Sequence, residues 1–221
     1  ALRHRASCGR HSIRPDFAAI YNIVMDDVSL QDPLAHFLGW LEEAKLSEPN
    51  DPNAMTLATA DAAGRPSARM VLLKGHDRDG FVFYTNLESR KAGDLAENPR
   101  AALCFHWAPL EAQVRVEGRV SRVADAEADA YFASRPYGSR IGAWASLQSR
   151  PLPDRKLLED RIAELEARYA EDEVPRPSYW SGFRVAPERI EFWSGRPSRL
   201  HDREVYLVEP DGGWRVERLY P

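Results

Sequence analysis

The sequence predicts an α+β fold in which an antiparallel β-barrel carries its helices on the outside. Strand-like segments occur mainly as hairpins and do not alternate strictly with helices, which argues against a doubly wound parallel sheet. Residues 111–123 alternate apolar and polar side chains over the length of a long, half-buried strand. The chain ends in a hairpin whose turn is Asp211, Gly212 and Gly213.

An N-terminal arm, residues 1–31, is expected to precede a single domain, residues 32–221. The first fifteen residues contain four arginines and no acidic residue. This composition can belong to a transit peptide, but a disordered basic arm is the favoured interpretation.

The first helix is predicted to begin at Asp32, an N-cap, with Pro33 at the first helical position. Pro49 and Pro52 end this region, and Ala54–Ala60 is predicted to be a strand. Four apolar residues of the helix recur at i, i+3, i+4 and i+7 and should form its buried face: Leu34, Phe37, Leu38 and Leu41.

A hairpin is expected next, because the apolar segments Met70–Leu73 and Phe81–Tyr84 flank a polar turn, Asp77–Gly80. A short helix over residues 89–98 follows, with Ser89 as its candidate cap. Ala101–Trp107 is predicted to be a buried strand, which would also bury Cys104.

The long strand Glu111–Val123 is expected to bend at Gly118. Two more helices are predicted, one capped by Asp125 and ending before Pro136, the other capped by Asp154. Together the chain is predicted to hold about seven strands and four helices. The remaining predicted elements are the apolar stripe of the last helix, at Leu158, Ile162, Leu165 and Tyr169, and the strands Phe183–Trp193, Glu204–Val208 and Trp214–Leu219.

Composition narrows the class of protein. Of 221 residues, 43% are hydrophobic and 29% charged, which suits a globular protein with a sizeable core. A net charge of −4 argues against general coating of nucleic acid. Two cysteines cannot build a disulfide framework, and no apolar run reaches the length of a membrane span. A cytoplasmic protein that binds neither nucleic acid nor membrane is expected.

Two cations at the start of a predicted helix point to an anion. Arg90 and Lys91 follow Ser89, where the positive end of the helix dipole disfavours them. A phosphate at this helix start would reverse that cost, and Arg69 and Lys74 add positive charge nearby. A solvated hairpin with ordinary surface charge is the alternative.

Three further segments are candidate binding elements. Tyr131 and Arg135, four residues apart on a predicted helix, could hold a second phosphate with Ser139; a cation at a helix C-terminus is the alternative. Gln148 and Ser149 could bind a ligand or simply belong to a linker. In an extended segment, Arg199, His201 and Arg203 would share one side near Trp193, either against an aromatic ligand or as a basic strand end. No metal-ligand spacing occurs.

Taken together, these segments resemble the pyridoxine (pyridoxamine) 5′-phosphate oxidase family. The resemblance covers about residues 32–221, whereas the arm before Asp32 matches the family poorly. It implies an antiparallel split β-barrel that binds FMN and forms a homodimer with FMN at the subunit interface. The ordered motifs that carry it are RMVLLK, FYTN, SRKA, NPR, SRP, IGAW, QSR, PSYWSGFRV, IEFW and RLHDR.

The resemblance also implies the site residues. Catalytic roles fall on Arg199 and His201, which would press the substrate ring onto the flavin, and no metal is implied. Substrate contacts fall on Lys74, Tyr131, Arg135, Ser139, Arg199, Leu200 and His201. FMN contacts fall on Arg69, Met70, Val71, Leu72, Leu73, Lys74, Tyr84, Thr85, Arg90, Lys91, Gln113, Gln148, Ser149, Trp193 and Arg203.

The activity implied by the resemblance is oxidation of pyridoxamine 5′-phosphate or pyridoxine 5′-phosphate by O2, giving pyridoxal 5′-phosphate and H2O2 in vitamin B6 metabolism. One alternative is an FMN oxidase of another aromatic metabolite, of the phenazine-precursor type. Another is a non-catalytic split barrel that binds flavin or haem. The Arg199–Leu200–His201 motif and the Tyr131, Arg135 and Ser139 set favour a phosphorylated pyridine.

Overall fold

A computed structural model describes residues 32–221, so the expectations for the N-terminal arm lie outside the described residues. Within that range nine strands form one antiparallel sheet with five α-helices around it, which confirms the predicted architecture and adds one short strand and one helix. None of these helices is long and apolar enough to cross a membrane.

The helices are α1 (Pro33–Ser47), α2 (Arg90–Glu97), α3 (Asp125–Ala133), α4 (Tyr137–Ala145) and α5 (Arg155–Arg168). The strands are β1 (Ala54–Ala60), β2 (Pro66–Leu72), β3 (Gly75–Asp77), β4 (Gly80–Asn86), β5 (Arg100–Trp107), β6 (Ala112–Arg122), β7 (Trp180–Ser194), β8 (Asp202–Val208) and β9 (Trp214–Arg218).

The long strand β7 divides the sheet. On one side it pairs with β6 along almost its whole length. On the other side its first half, Trp180–Val185, pairs with β4, and its second half, Arg189–Ser194, pairs with β8. The remaining strands extend from these in the order β2-β1-β5-β6-β7-β4-β3, with β9 added to β8. On the side of β7 opposite β6, the sheet therefore divides into two pairs of strands, β4 with β3 and β8 with β9.

The predicted bend at Gly118 is confirmed, because the β6–β7 register shifts between Glu117 and Gly118. A Cβ atom built on Gly118 would lie 1.9 Å from the carbonyl oxygen of Ala186. Only glycine lets the two backbones approach this closely.

The first predicted hairpin is wrong in its pairing. Strand β2 pairs with β1, and the hairpin partner of β4 is the short strand β3. The chain changes partners between two consecutive residues: Leu73 N donates to Asn53 O, and Lys74 N donates to Val82 O. A local apolar pattern identifies strands but not which strand each one joins.

Helix α1 begins as predicted, with the Asp32 carboxylate accepting from Leu34 N at 2.9 Å. Its buried face differs from the predicted one, since Leu38 is 36% exposed. The helix rests on the sheet through residues that follow a 3.6-residue period, and these join the main core: Phe37, Trp40, Leu41 and Ala44.

Helix α4 was not predicted, because Pro136 was interpreted as a break. Pro136 is instead the residue immediately before the helix, a position that proline tolerates well. Nearby, α5 is capped by Asp154 as predicted. Its Ile162 and Leu165 pack, half-buried, on a second apolar cluster that includes Ile141 and Trp180.

Candidate functional site

A cavity of about 650 Å³ opens between β2, β4, the start of α2 and the α3–α4 connection. It gathers residues that are far apart in the sequence. We call the predicted site residues that line it the cavity set: Arg69, Met70, Val71, Leu72, Lys74, Tyr84, Thr85, Lys91, Tyr131, Arg135, Ser139 and Gln148.

One end of the cavity is cationic. Lys91, in the first turn of α2, donates to Thr85 Oγ1 and Gln148 Oε1, both at 3.1 Å. Lys91 also donates to Ser89 Oγ, at 3.3 Å. The Ser89 side chain therefore contacts Lys91 and does not cap the helix. Ser149 is close by, because its hydroxyl accepts from Arg90 N at 3.3 Å.

Arg69 is held beside this helix start by β1 and β2. Its guanidinium donates to Thr59 Oγ1 and Ser67 Oγ, both at 2.7 Å, and its Nη2 lies 3.7 Å from Asp94 Oδ2. Burial lowers the pKa of Arg69, although the Asp94 carboxylate opposes that shift. Burial also lowers the pKa of Lys91, and the positive charge of Arg69 lowers it further. A dianion placed here would relieve both effects, so the residues fit a phosphate.

The opposite end carries a stack of aromatic rings. Tyr84 and Tyr131 lie 4.0 Å apart between ring centroids and 14° from parallel. Trp180 continues the stack 5.3 Å from Tyr84, and the Arg135 guanidinium covers Trp180 at 4.8 Å. Burial is the main cause that raises the pKa of Tyr84, to about 12, and the Glu127 carboxylate adds to it, so this phenol stays neutral.

Arg135 is poised for an anion. Its Nη1 is buried and has no hydrogen-bond partner among the residues of the described chain. Burial lowers the pKa of Arg135, which marks the cost of a cation in this position without a counter-ion. The prediction that Tyr131 and Arg135 share a helix face is wrong, because α3 ends at Ala133 and Arg135 lies in the turn that follows. Both residues nevertheless line the cavity.

The other predicted site residues lie elsewhere in the chain. Gln113 pairs with Trp193 across β6 and β7, and Trp193 pairs with Arg203 across β7 and β8. The His201 ring lies 4.5 Å from the Trp193 ring. These residues do not line the cavity. We call them the β6–β8 set: Gln113, Trp193, Arg199, Leu200, His201 and Arg203.

The expectation of an extended segment from Arg199 to Arg203 is wrong at its start. Pro197–Arg199 forms a short 3-10 turn, and β8 begins only at Asp202. Ser198 and Arg199 have φ values of 58° and 61°, a left-handed conformation that costs non-glycine residues about 1–3 kcal/mol each. The turn is fastened by Arg196 N, which donates to His201 Nδ1 at 3.2 Å. Such strain is concentrated at functional sites in proteins.

The burial of Leu73 and Cys104 differs from what the sequence led us to expect. The Leu73 side chain is 4% exposed and belongs to the main core, so it can meet a ligand only through its backbone. Cys104 is half-buried on the sheet, not fully buried as predicted.

Sequence reasoning missed Trp180 and Asn86, which line the cavity, and Asp94, which supports Arg69. Their local patterns are those of ordinary strand and helix residues, and only tertiary structure reveals them.

The chain thus combines a split antiparallel barrel with a cavity lined by cations and aromatic rings, a lining that is chemically suited to phosphorylated aromatic ligands. Residues 41–169 match the family model described as "Pyridoxamine 5′-phosphate oxidase". Residues 180–221 match the "Pyridoxine 5′-phosphate oxidase C-terminal dimerisation region". This chain belongs to the pyridoxamine 5′-phosphate oxidase family.

Curated relatives are similar over nearly the whole chain. A Rhodospirillum rubrum protein is 63% identical over 202 residues, which cover 89% of this chain and 100% of the relative. A Myxococcus xanthus protein is 63% identical over 190 residues, or 86% of this chain and 92% of the relative. Both are named pyridoxine/pyridoxamine 5′-phosphate oxidase.

Solved structures confirm the fold. PhzG from Burkholderia lata 383, in complex with tetrahydrophenazine-1-carboxylic acid, superposes with a TM-score of 0.82 at 30% identity, covering 90% of this chain and 98% of that one. An FMN-binding protein related to pyridoxamine 5′-phosphate oxidase, from Nostoc punctiforme PCC 73102, has a TM-score of 0.71 at 17% identity. It covers 86% of this chain and 98% of its own.

Proposed function

We propose that this protein is an FMN-dependent oxidase that converts pyridoxamine 5′-phosphate or pyridoxine 5′-phosphate to pyridoxal 5′-phosphate with O2 as electron acceptor. The observation that carries the proposal is one cavity that brings together two groups of cations, around Arg69 and at Arg135, with stacked aromatic rings. This arrangement suits two phosphoesters whose aromatic rings lie against each other. The names of the curated relatives support the same activity.

The flavin phosphate is assigned to the cationic end, at Arg69, Arg90 and Lys91. The positive end of the α2 dipole adds to the attraction for a dianion. The Thr85 hydroxyl and the Gln148 amide complete a polar lining, and the Ser149 hydroxyl contacts the first residue of α2. FMN, when bound, supplies the redox chemistry by accepting a hydride from the substrate and passing electrons to O2.

The substrate phosphate is assigned to Lys74, Tyr131, Arg135 and Ser139. The unpartnered Nη1 of Arg135 offers a donor that a phosphate oxygen can accept. Since Arg135 is stacked on Trp180, its plane is already oriented before the substrate binds.

The β6–β8 set is assigned to the same site through a second subunit. Within one chain Arg199 and His201 do not line the cavity, yet the family carries a dimerisation region over residues 180–221. In a homodimer the β6–β8 set of one subunit would cover the cavity set of its partner. Arg199 and His201 would then press the substrate ring into place and exclude water from the reacting carbon.

Oxidation of a phenazine-type metabolite is the second candidate, favoured by the similarity to PhzG. The two candidates differ in what Arg135, Tyr131 and Ser139 would bind, since the phenazine precursor carries a carboxylate and no phosphate. Three cation or hydroxyl groups converge there, which favours the larger phosphate dianion.

An oxygen-electrode assay tests the proposal. Purified protein should be yellow from bound flavin, consume O2 with pyridoxamine 5′-phosphate and release H2O2. Unphosphorylated pyridoxamine is the matched control and should react at least about a hundredfold less efficiently, because it lacks the group that Arg135 binds. Equal rates with both amines, or a yellow protein that consumes no O2 with either, would refute it.

A further inference from the structure

A buried carboxylate lies beside the β6–β8 set. Glu191, on β7, is 1% exposed although it carries a charge at neutral pH. Its Oε2 accepts from Arg189 at 2.6 Å and from Arg115 at 3.4 Å. Its Oε1 accepts from Arg203 Nε at 2.9 Å and lies 2.8 Å from Arg203 Nη2. Burial acts to raise the pKa of Glu191, but the hydrogen bonds from Arg189 and Arg203 outweigh it and leave that pKa below its ordinary value.

Arg203 is therefore fixed before any ligand arrives. The Glu191 oxygen occupies its Nε and Nη2, and the carbonyl of Tyr220 accepts from its Nη1 at 3.2 Å. A guanidinium carries five N–H donors, so two remain free, one on each terminal nitrogen. Arg203 also pairs in register with Trp193, whose ring contacts His201. The free donors thus sit at one defined place in the β6–β8 set.

We propose that Glu191 is a positioning residue for the flavin: it holds the Arg203 guanidinium in the one orientation in which its two free donors meet FMN. This inference rests on the proposed function, since it assumes that Arg203 contacts the flavin. Glu191 accepts from Arg203 and does not itself line the cavity.

The neighbouring residue Glu117 provides a matched control. It belongs to the same network, accepting from Arg115 at 2.7 Å and Arg189 at 3.0 Å, but it makes no bond to Arg203. Glu117→Gln and Glu191→Gln remove the same charge from the same cluster. If the loss of negative charge alone affected FMN binding, both variants would change it similarly. If Glu191 acts by positioning Arg203, only Glu191→Gln will change it.

The measurement is the rate at which diluted holoenzyme releases FMN, followed by the fluorescence of free flavin. Glu191→Gln should accelerate release by about tenfold, because a buried hydrogen-bonded charge pair is broken, and Glu117→Gln should stay within about twofold of wild type. In an Arg203→Ala background, Glu191→Gln should add nothing, since its effect acts through Arg203.

The outcomes separate this inference from the proposed function. If Arg203→Ala accelerates release but Glu191→Gln behaves like wild type, the inference is wrong and the flavin site stands. If Arg203→Ala has no effect while Arg69→Ala does, Arg203 is not at the flavin, and the inference falls with that assignment. Equal acceleration by Glu191→Gln and Glu117→Gln would also overturn it.

A shorter acid covers the case in which Glu191→Gln does not fold. Glu191→Asp keeps the charge that Arg115 and Arg189 need but withdraws the carboxylate from Arg203 by one methylene. FMN release should accelerate in the same direction as for Glu191→Gln. Wild-type release from a folded Glu191→Asp protein would contradict the positioning role.

Discussion

Single residues in the cavity are arranged so that their charge remains available to a ligand. Lys91 is held by two hydroxyls and an amide, and Arg135 by the face of an indole ring. Neutral partners of this kind orient a cation without neutralising it, unlike a carboxylate. Burial without a carboxylate partner lowers the pKa of both Lys91 and Arg135.

Replacing Arg135 with Ala should raise KM for the phosphorylated substrate by about thirtyfold, because a charge-assisted hydrogen bond to phosphate is worth roughly 2 kcal/mol. Flavin content should stay near that of wild type. Steady-state kinetics and flavin absorbance measure the two effects. Arg140→Ala on α4 is the control, since its guanidinium bonds to Glu171 O and does not line the cavity. Equal losses of flavin and substrate affinity would mean that the two phosphate positions are assigned wrongly.

The buried side chain of His36 should make the free energy of unfolding depend on pH. Burial lowers its pKa from about 6.5 to about 4, and its ring stacks on Phe192 at 3.9 Å. The unfolded chain therefore binds a proton at a higher pH than the folded protein does, so stability is complete above pH 6.5 and declines as pH falls towards 4. Between pH 7 and pH 5 this group should cost about 2 kcal/mol of unfolding free energy.

Urea denaturation of wild type and His36→Phe at both pH values isolates this contribution. Phe can keep the stack on Phe192 but cannot titrate. The wild type should lose about 2 kcal/mol more than the variant on moving from pH 7 to pH 5. Identical pH dependence in the two proteins would show that His36 is not the titrating group.

At the scale of elements, strand β7 carries residues of both the cavity and the β6–β8 set. Its first half carries Trp180, which lines the cavity. Its second half carries Trp193, a member of the β6–β8 set, and Glu191 beside it. The β6–β7 bulge at Gly118 lies between these halves. The same strand thus links two surfaces that a dimer would bring into one site.

Gly118→Ala should destabilise the protein by about 3 kcal/mol, because the new Cβ overlaps the Ala186 carbonyl and the strands must separate. Thermal and urea unfolding measure the loss. Gly39→Ala is the control: this glycine lies inside α1 with no atom within 4 Å of a new Cβ, so alanine should stabilise by up to about 1 kcal/mol. A Gly118→Ala protein as stable as wild type would contradict the close approach at the bulge.

Sequence patterns predicted individual elements better than their partners. The Asp32 and Asp154 caps, strand β1 and the bend at Gly118 all depend on nearby residues, and the structure confirms them. The β2–β1 pairing was missed because the change of partner at Leu73 and Lys74 depends on residues distant in sequence. Helix α4 was missed because Pro136 suits both a break and a helix start.

The whole molecule is acidic, with a net charge of −4, yet its cavity concentrates cations. Local charge, not net charge, determines which ligand a site attracts. The resemblance to the family supplied site residues that no local pattern could bring together, such as Gln113 and Arg135. The structure of one chain then divided these residues into the cavity set and the β6–β8 set. Sequence alone does not reveal this division, because it depends on where each strand lies in the sheet and on which side its residues point.

The most direct test of the central claim uses a mixed dimer. Arg135→Ala disables the cavity set, and Arg199→Ala should cut turnover by disabling the β6–β8 set while FMN stays bound. Subunits carrying one substitution each and different affinity tags are co-expressed, and the dimer with both tags is purified. One of its two sites would then combine two intact sets. At a substrate concentration near the wild-type KM, the mixed dimer should therefore recover about half of the wild-type rate, whereas each parental homodimer stays far below that rate. A mixed dimer as inactive as its parents would show that both sets serve a site within one subunit, and would contradict the account.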